Sequence, residues 1–256
     1  MRTAKILDIT EHFSNRSNIY DAFGTWVNND TILSAITSFI PESQNKPIIV
    51  VDLGAGTGAV SKYILQEYPF EKSIIAVDIC ADMLDKIAEP AICRCVASLE
   101  SLPFVDDTFD VAVSRQCLHY IEHLGQAIHE IKRVLNNNGV FILSQIVPLE
   151  TQSKEYWSKV INFRQPLRKQ YYSEKDWIDA FLSVGFTLRS VKRYSHRGSV
   201  KEWGSKYNIS DSALIDEYKR LLLEAPSKFA DEYNVSQKDD DVQYDSFWFV
   251  AKFQIE

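Results

Sequence analysis

Hydrophobic positions in the first 147 residues follow two alternating rhythms. Short runs of branched apolar residues fall at 48–53, 73–78, 91–96, 109–114 and 139–147, each the length of a strand covered on both faces. Between them apolar residues recur every three or four positions, as in the amphipathic stretch Ala127-Ile128-His129-Glu130-Ile131-Lys132-Arg133-Val134-Leu135. Asn136-Asn137-Asn138-Gly139 comes next, and these residues tolerate the left-handed backbone that ends a helix. Strand and helix in steady alternation predict an α/β fold with a doubly wound, mostly parallel sheet.

Beyond Pro148 the rhythm changes. Residues 151–172 are aromatic and basic, 173–184 look like a capped amphipathic helix, and 186–194 look like another strand. Residues 200–225 have helical spacing with Trp203, Tyr207 and Tyr218, and 244–253 alternate like an inserted strand. Segments 149–172 and 196–241 follow the fifth and sixth strands, so they are expected at the carboxyl edge, where ligands enter such sheets. The expected layout is a helical cap at 1–46, a cofactor-binding core at 47–147, and at 148–256 the rest of the sheet with helical substrate-lid insertions, all in one domain.

The chemistry concentrates where the first strand ends. Pro47-Ile48-Ile49-Val50-Val51 leads into Asp52-Leu53-Gly54-Ala55-Gly56-Thr57-Gly58. Three alternating glycines let a ligand approach main-chain amides at a strand-to-helix turn. Asp78 closes the next strand about 24 positions beyond Gly54, where a carboxylate can accept hydrogen bonds from a ribose diol. Gly54 to Ala59 also fits the Gly-X-Gly-X-X-Gly/Ala fingerprint of dinucleotide-binding folds, so a nicotinamide cofactor remains open at this point.

Three further features narrow the choice. Asp52 stands two residues before the first glycine, Val77-Asp78-Ile79 ends the second strand, and Glu100-Ser101-Leu102-Pro103-Phe104 precedes Asp106-Asp107-Thr108-Phe109-Asp110-Val111. In this order and spacing, over residues 15–147, the chain resembles the class I S-adenosylmethionine (SAM) dependent methyltransferases, particularly the small-molecule branch similar to ubiquinone and menaquinone biosynthesis enzymes. The resemblance implies a Rossmann-like seven-stranded sheet whose seventh strand is antiparallel, with SAM as cofactor and S-adenosylhomocysteine as product. It also implies site roles: Gly54 and Gly56 under the methionine end, Asp52 at its ammonium, Asp78 at the ribose, and Ile79 and Met83 against adenine. Tyr20, in Tyr20-Asp21-Ala22-Phe23 with Trp26 nearby, resembles the segment that closes over the cofactor. The chain departs from the family at one point. The family's aspartate before Leu-Pro-Phe is Ser98 here, followed by Leu99, so a hydroxyl replaces an ionised acceptor at adenine and weaker affinity is expected.

Ser114-Arg115-Gln116-Cys117-Leu118-His119-Tyr120 follows the fourth strand. If a helical turn starts there, Arg115 and His119 share a face; Arg115 could orient an anionic oxygen while His119 accepts a proton near neutral pH. The arrangement looks similar to phenolic C-methyltransferases acting on aminocoumarin-type compounds, although a Leu-His pair at this point also serves packing in many family members. Tyr156, Trp157, Tyr171, Tyr172, Trp203 and Tyr207 are candidates for stacking on a planar acceptor. Arg164, Arg168, Lys169, Arg189, Lys192, Arg193 and Arg197 could meet an acidic substrate or RNA, or form a solvated face.

Composition limits the partners. A formal net charge of -7 over 256 residues argues against a broad phosphate-binding face or attraction to anionic membranes. The four cysteines, Cys80, Cys93, Cys95 and Cys117, lack the paired spacing of a zinc site or disulfide framework, and no metal is expected. Residues 1–10 lack the apolar core of a signal peptide, so a cytoplasmic location is expected. The sequence thus points to methyl transfer onto oxygen or carbon of a small aromatic or polyketide-like acceptor, by a monomer or homodimer without nucleic-acid or membrane partners. A tRNA-base methyltransferase, an NAD(P)-dependent oxidoreductase and a non-catalytic SAM-binding subunit stay open as alternatives.

Overall fold

A computed structural model describes residues 8–21, 27–42, 47–68, 72–206 and 212–255. In chain order the helices are α1 (Ile9–Ser14), α2 (Asp30–Thr37), α3 (Ala59–Glu67), α4 (Ala81–Leu84), α5 (Leu124–Val134), α6 (Lys154–Arg164), α7 (Glu174–Ser183), α8 (Val200–Lys206), α9 (Ser212–Leu223) and α10 (Ser227–Glu232). The strands are β1 (Ile48–Leu53), β2 (Lys72–Asp78), β3 (Ile92–Val96), β4 (Phe109–Arg115), β5 (Leu135–Val147), β6 (Phe186–Ser199), β7 (Ser236–Lys238) and β8 (Asp241–Ile255).

They form one mixed sheet in the order β3-β2-β1-β4-β5-β8-β6, with β7 paired to β8. Pairing is parallel from β3 through β5, while β8 runs antiparallel between β5 and β6. The doubly wound sheet expected from the apolar runs is present, with its antiparallel strand in the interior. Alternation along the strands divides the core. Val50, Val111, Ile142 and Val250 pack with α2, α3 and the helices of the C-terminal insertions, whereas Val51, Ala112, Phe141 and Phe249 pack with α5 and α7.

The expected capped helix is α7. Ser173 Oγ accepts from the Asp176 amide at 3.3 Å, and Asp176 Oδ2 accepts from the Ser173 amide at 2.9 Å, a reciprocal box that satisfies two end donors.

Three expectations need correction. Residues 136–139 do not form a helix-ending turn: α5 passes directly into β5, and the register jumps from Phe109↔Leu135 to Val111↔Val140, so the extra residues are absorbed as a bulge. Asn136 Nδ2 donates to Asp110 Oδ1 at 2.7 Å, and Asn138 takes φ 67°, which together hold the bulge. Next, β6 continues to Ser199 because β8 pairs with it as far as Ser199↔Gln243. Finally, most of the lid aromatics hold the insertions together. Trp157 is buried, Tyr156 Oη donates to the Leu221 carbonyl, Tyr171 Oη bonds Asn162, and Tyr172 packs edge-on against Trp177. Among these candidates, Trp203 reaches a cavity wall. Tyr207, Ala22, Phe23 and Trp26 lie outside the described residues.

No helix among the described residues is long and apolar enough to cross a membrane.

Candidate active site

The turn after β1 explains its three glycines. Gly54, Gly56 and Gly58 have φ of 73°, 55° and 83°, a region side-chain-bearing residues rarely adopt. A Cβ on Gly58 would lie 2.8 Å from Ile87, and one on Gly56 would lie 3.3 Å from the Met83 methyl. The amides of Gly54 and Ala55 donate to the Val77 carbonyl at 2.8 and 2.9 Å, which ties the turn to the end of β2.

Two carboxylates flank this turn. Asp52 is 1% exposed, and its Oδ2 accepts from the Ser61 amide at 3.1 Å and the Ser61 hydroxyl at 2.7 Å. Burial pushes its pKa up to about 6; the Ser61 hydrogen bonds and the Arg115 guanidinium oppose that rise, and the Asp78 carboxylate adds to it. Asp78 Oδ2 accepts from the Gly56 amide at 2.8 Å and Oδ1 from the Cys80 amide at 2.9 Å. Burial raises its pKa as well. Each carboxylate oxygen has a second lone pair, so Asp78 holds the turn while keeping acceptor capacity for a ligand.

Over the carboxyl ends of β1, β2 and β4 lies a cavity of about 400 Å³. Tyr20, Asp52, Gly54, Gly56, Asp78, Ile79, Met83, Ser98, Leu99 and Arg115 all line it. Residues from five separate segments of the chain thus line one cavity. Ser98 and Leu99 arrive on a loop fastened by α5: Glu130 Oε2 accepts from the Leu102 amide at 2.8 Å, and Arg133 donates to the Leu102 and Phe104 carbonyls.

Arg115 and His119 are separated. The segment after β4 forms a short 3-10 turn at Leu118–Tyr120, not an α-helix, so the two do not share a helical face. Arg115 lies over the Trp248 ring, 6.0 Å from its centroid, on one side of the sheet, and its Nη1 donates to the Val27 carbonyl at 2.6 Å. His119 sits on the other side against Gln145, with Nδ1 2.9 Å from Gln145 Oε1. It is 0% exposed and absent from the cavity lining. Burial, followed by the nearby Arg168 charge, holds its pKa well below the ordinary histidine value, so the ring is neutral. Its carbonyl accepts from the amides of Lys169 and Gln170 at 2.8 and 3.0 Å, which anchors the chain leaving α6. A proton acceptor must reach the ligand, and this ring does not line the cavity.

Phe13, Gln116, Tyr120 and Leu167 also line the cavity but went unseen in the sequence. Nothing in local spacing marks Phe13; it meets Tyr120, far along the chain, edge-on at 5.4 Å.

Residues 51–143 match the model of the methyltransferase domain family. They carry the end of β1, all of β2 to β4, most of β5, and the glycine turn with both carboxylates. The chain carries a methyltransferase domain of the class I SAM-dependent kind.

The methyltransferase is 26% identical over 154 residues to the uncharacterized methyltransferase YcgJ of Bacillus subtilis, covering 57% of this chain and 60% of YcgJ. It is 32% identical over 147 residues to a malonyl-[acyl-carrier protein] O-methyltransferase of Halorhodospira halophila, covering 55% of this chain and 48% of that protein. The chain thus spans about half the length of that second relative. Among solved structures, the BH2331 protein of Bacillus halodurans superposes with a TM-score of 0.79 at 18% identity, covering 88% of this chain and 98% of the other. At that identity the likeness shows the fold.

The methyltransferase's own residues suit SAM. Bare glycine backbone at Gly54 and Gly56 borders the cavity, the buried Asp52 carboxylate and Arg115 guanidinium line it too, and its volume lies within the ~300–1,000 Å³ of small-ligand sites.

Proposed function

We propose that this enzyme transfers a methyl group from SAM to oxygen or carbon of a small, planar, aromatic or polyketide-like acceptor. The observation that supports it is the aromatic mouth of the cofactor cavity: Phe13 lies edge-on to both Tyr20 (6.3 Å) and Tyr120 (5.4 Å), beside Leu167. In this reading Asp52 receives the ammonium of the cofactor, Asp78 its ribose, and Ile79, Met83, Ser98 and Leu99 its adenine, with Tyr20 closing the site. Arg115 takes the carboxylate. Burial lowers its pKa to about 10, so it stays charged at neutral pH.

When bound, SAM supplies a methyl group already activated by its sulfonium. The protein's part is to align the acceptor with it and keep water out. With His119 absent from the lining, this reading favours acceptors acidic enough to ionise readily: phenols, enols and acids.

A second reading, methyl transfer to a carboxylate, draws on the similarity to the Halorhodospira halophila enzyme. An RNA acceptor is disfavoured because the cationic run is engaged internally. Arg168 is buried over Trp157 and donates to Gln170 and Ile146, Arg193 pairs with Glu174, Arg197 pairs with Asp245, and Lys169 pairs with Glu122.

Thermal unfolding with S-adenosylhomocysteine or NADH, followed by label transfer from SAM to phenols, malonyl thioesters and tRNA, tests this reading. Stabilisation by S-adenosylhomocysteine alone and labelling of a small acceptor are expected. Stabilisation by NADH alone, or labelling confined to tRNA with steep salt dependence, overturns it.

A further inference from the structure

Gln116 joins two cavities. It lines the cofactor cavity and also a second one of about 40 Å³, walled by Ile146, Arg164, Trp203, Tyr244 and Trp248. Its backbone is unusual. Among the described residues, five non-glycine positions have positive φ, and the other four are Asp or Asn, which tolerate it; Gln116 takes φ 53°. Its amide N–H donates to the Ser144 carbonyl at 3.0 Å, so the strained conformation is held by the end of β5. Its side-chain Oε1 and Nε2 are both buried, and neither meets a partner among the described residues. Burying both polar atoms of a primary amide without partners is costly, and strain of this kind gathers where ligands bind.

Size decides what can enter. About 40 Å³ holds roughly three water-sized atoms, whereas a cavity that admits benzene needs about 150 Å³. A ring is excluded and a flat three-atom head fits. Trp203 and Trp248 give it flat walls, and the Gln116 amide offers one donor and one acceptor side by side. The Arg164 guanidinium lies over Tyr244 at 5.6 Å, but Glu202 shares the wall, so the hydrogen-bonding pattern discriminates more than net charge.

We propose that Gln116 is the acceptor-recognition residue and that the second cavity seats a carboxyl or carboxamide head of the acceptor. This rests on the methyl-transfer reading. The Gln116 Nε2–H donates to an oxygen of the head, its Oε1 accepts from the N–H of a carboxamide head, and the acceptor's body remains in the larger cavity.

Calorimetric titration of 2-hydroxybenzoate, 2-hydroxybenzamide and phenol into the protein saturated with S-adenosylhomocysteine tests the proposal. At least one of the two substituted probes binds tenfold or more tightly than phenol. Gln116→Met removes that difference and leaves S-adenosylhomocysteine affinity within twofold, which also shows that the variant is folded. Gln116→Glu, which keeps the shape, weakens 2-hydroxybenzoate more than 2-hydroxybenzamide and serves if the methionine variant fails to fold. Equal binding of all three probes to the parent protein, or an undiminished preference in both variants, overturns the proposal. Absence of S-adenosylhomocysteine binding to the parent protein sinks the methyl-transfer reading instead, so the two failures are distinguishable.

Discussion

A Cβ on Gly54 would stand 2.1 Å from Cys117 Sγ and 2.3 Å from Cys117 Cβ, so the turn after β1 and the chain leaving β4 are in direct contact. Gly54→Ala meets both this clash and a left-handed backbone, and the backbone alone costs about 1–2 kcal/mol. The expected result is a lower melting temperature and a loss of S-adenosylhomocysteine affinity well beyond tenfold. Adding Cys117→Gly restores part of both, since removing only the sulfur leaves the Cβ contact. Normal affinity in Gly54→Ala would remove this turn from the cofactor site.

In the proposed reading, Asp52 makes cofactor affinity pH-dependent. Its pKa in the folded protein is about 6, so an ionised partner for the cofactor ammonium is fully present above that value and is lost as pH falls. S-adenosylhomocysteine affinity, followed by calorimetry from pH 5 to 8, drops about tenfold per unit below about 6. Asp52→Asn binds weakly and with a flat profile in that window. Stability of the unliganded protein moves the other way. A carboxyl whose folded pKa is raised favours the fold below its unfolded value near 3.8, and this contribution disappears as pH rises through about 6.

His119 is buried with its ring against Gln145. Its folded pKa is depressed, so below about 6.5 the unfolded chain takes up a proton that the folded chain does not. This contribution is intact above that value and is lost as pH falls. Denaturant titrations of His119→Gln show a shallower loss of stability between pH 7 and 5.5, with a cost of about 1–3 kcal/mol at pH 8 from the disturbed Gln145 pairing. Turnover per folded molecule stays within a few-fold. A drop of about 10²–10⁴ would instead identify a general base.

Ser98 lines the cavity at the position where the proposed reading puts adenine, and its hydroxyl accepts from the Glu100 amide at 3.2 Å. Ser98→Asp tightens S-adenosylhomocysteine binding by roughly tenfold, the worth of exchanging a neutral acceptor for a charged one. Unchanged affinity would place the adenine elsewhere.

The elements that could be seen in the sequence were local ones. The apolar runs of β1, β2 and β4, the spacing of Asp52, Gly54 and Asp78, and the Ser173 cap each express an interaction within a few residues or a strand's own burial pattern. The bulge at 136–139 was not visible in this way, because Asn-rich residues suit either a helix end or a bulge, and the Asp110 side chain from β4 selects the bulge.

What the sequence determined by itself was the sheet type, the glycine turn and the acidic pair beside it, since backbone conformation and strand burial depend on residue type and order. Tertiary structure alone decided which polar residues after β4 reach a cavity. Arg115 and Gln116 border the cavities and His119 is sealed beneath them, because the chain leaves β4 in a left-handed residue and a 3-10 turn. The aromatics of the insertions were settled there too. Burying Trp157, Tyr218 and Phe229 against the sheet contributes about 1.5–3 kcal/mol for each large side chain, so they serve the insertions' own core, while Phe13 and Tyr120 meet edge-on at the cavity.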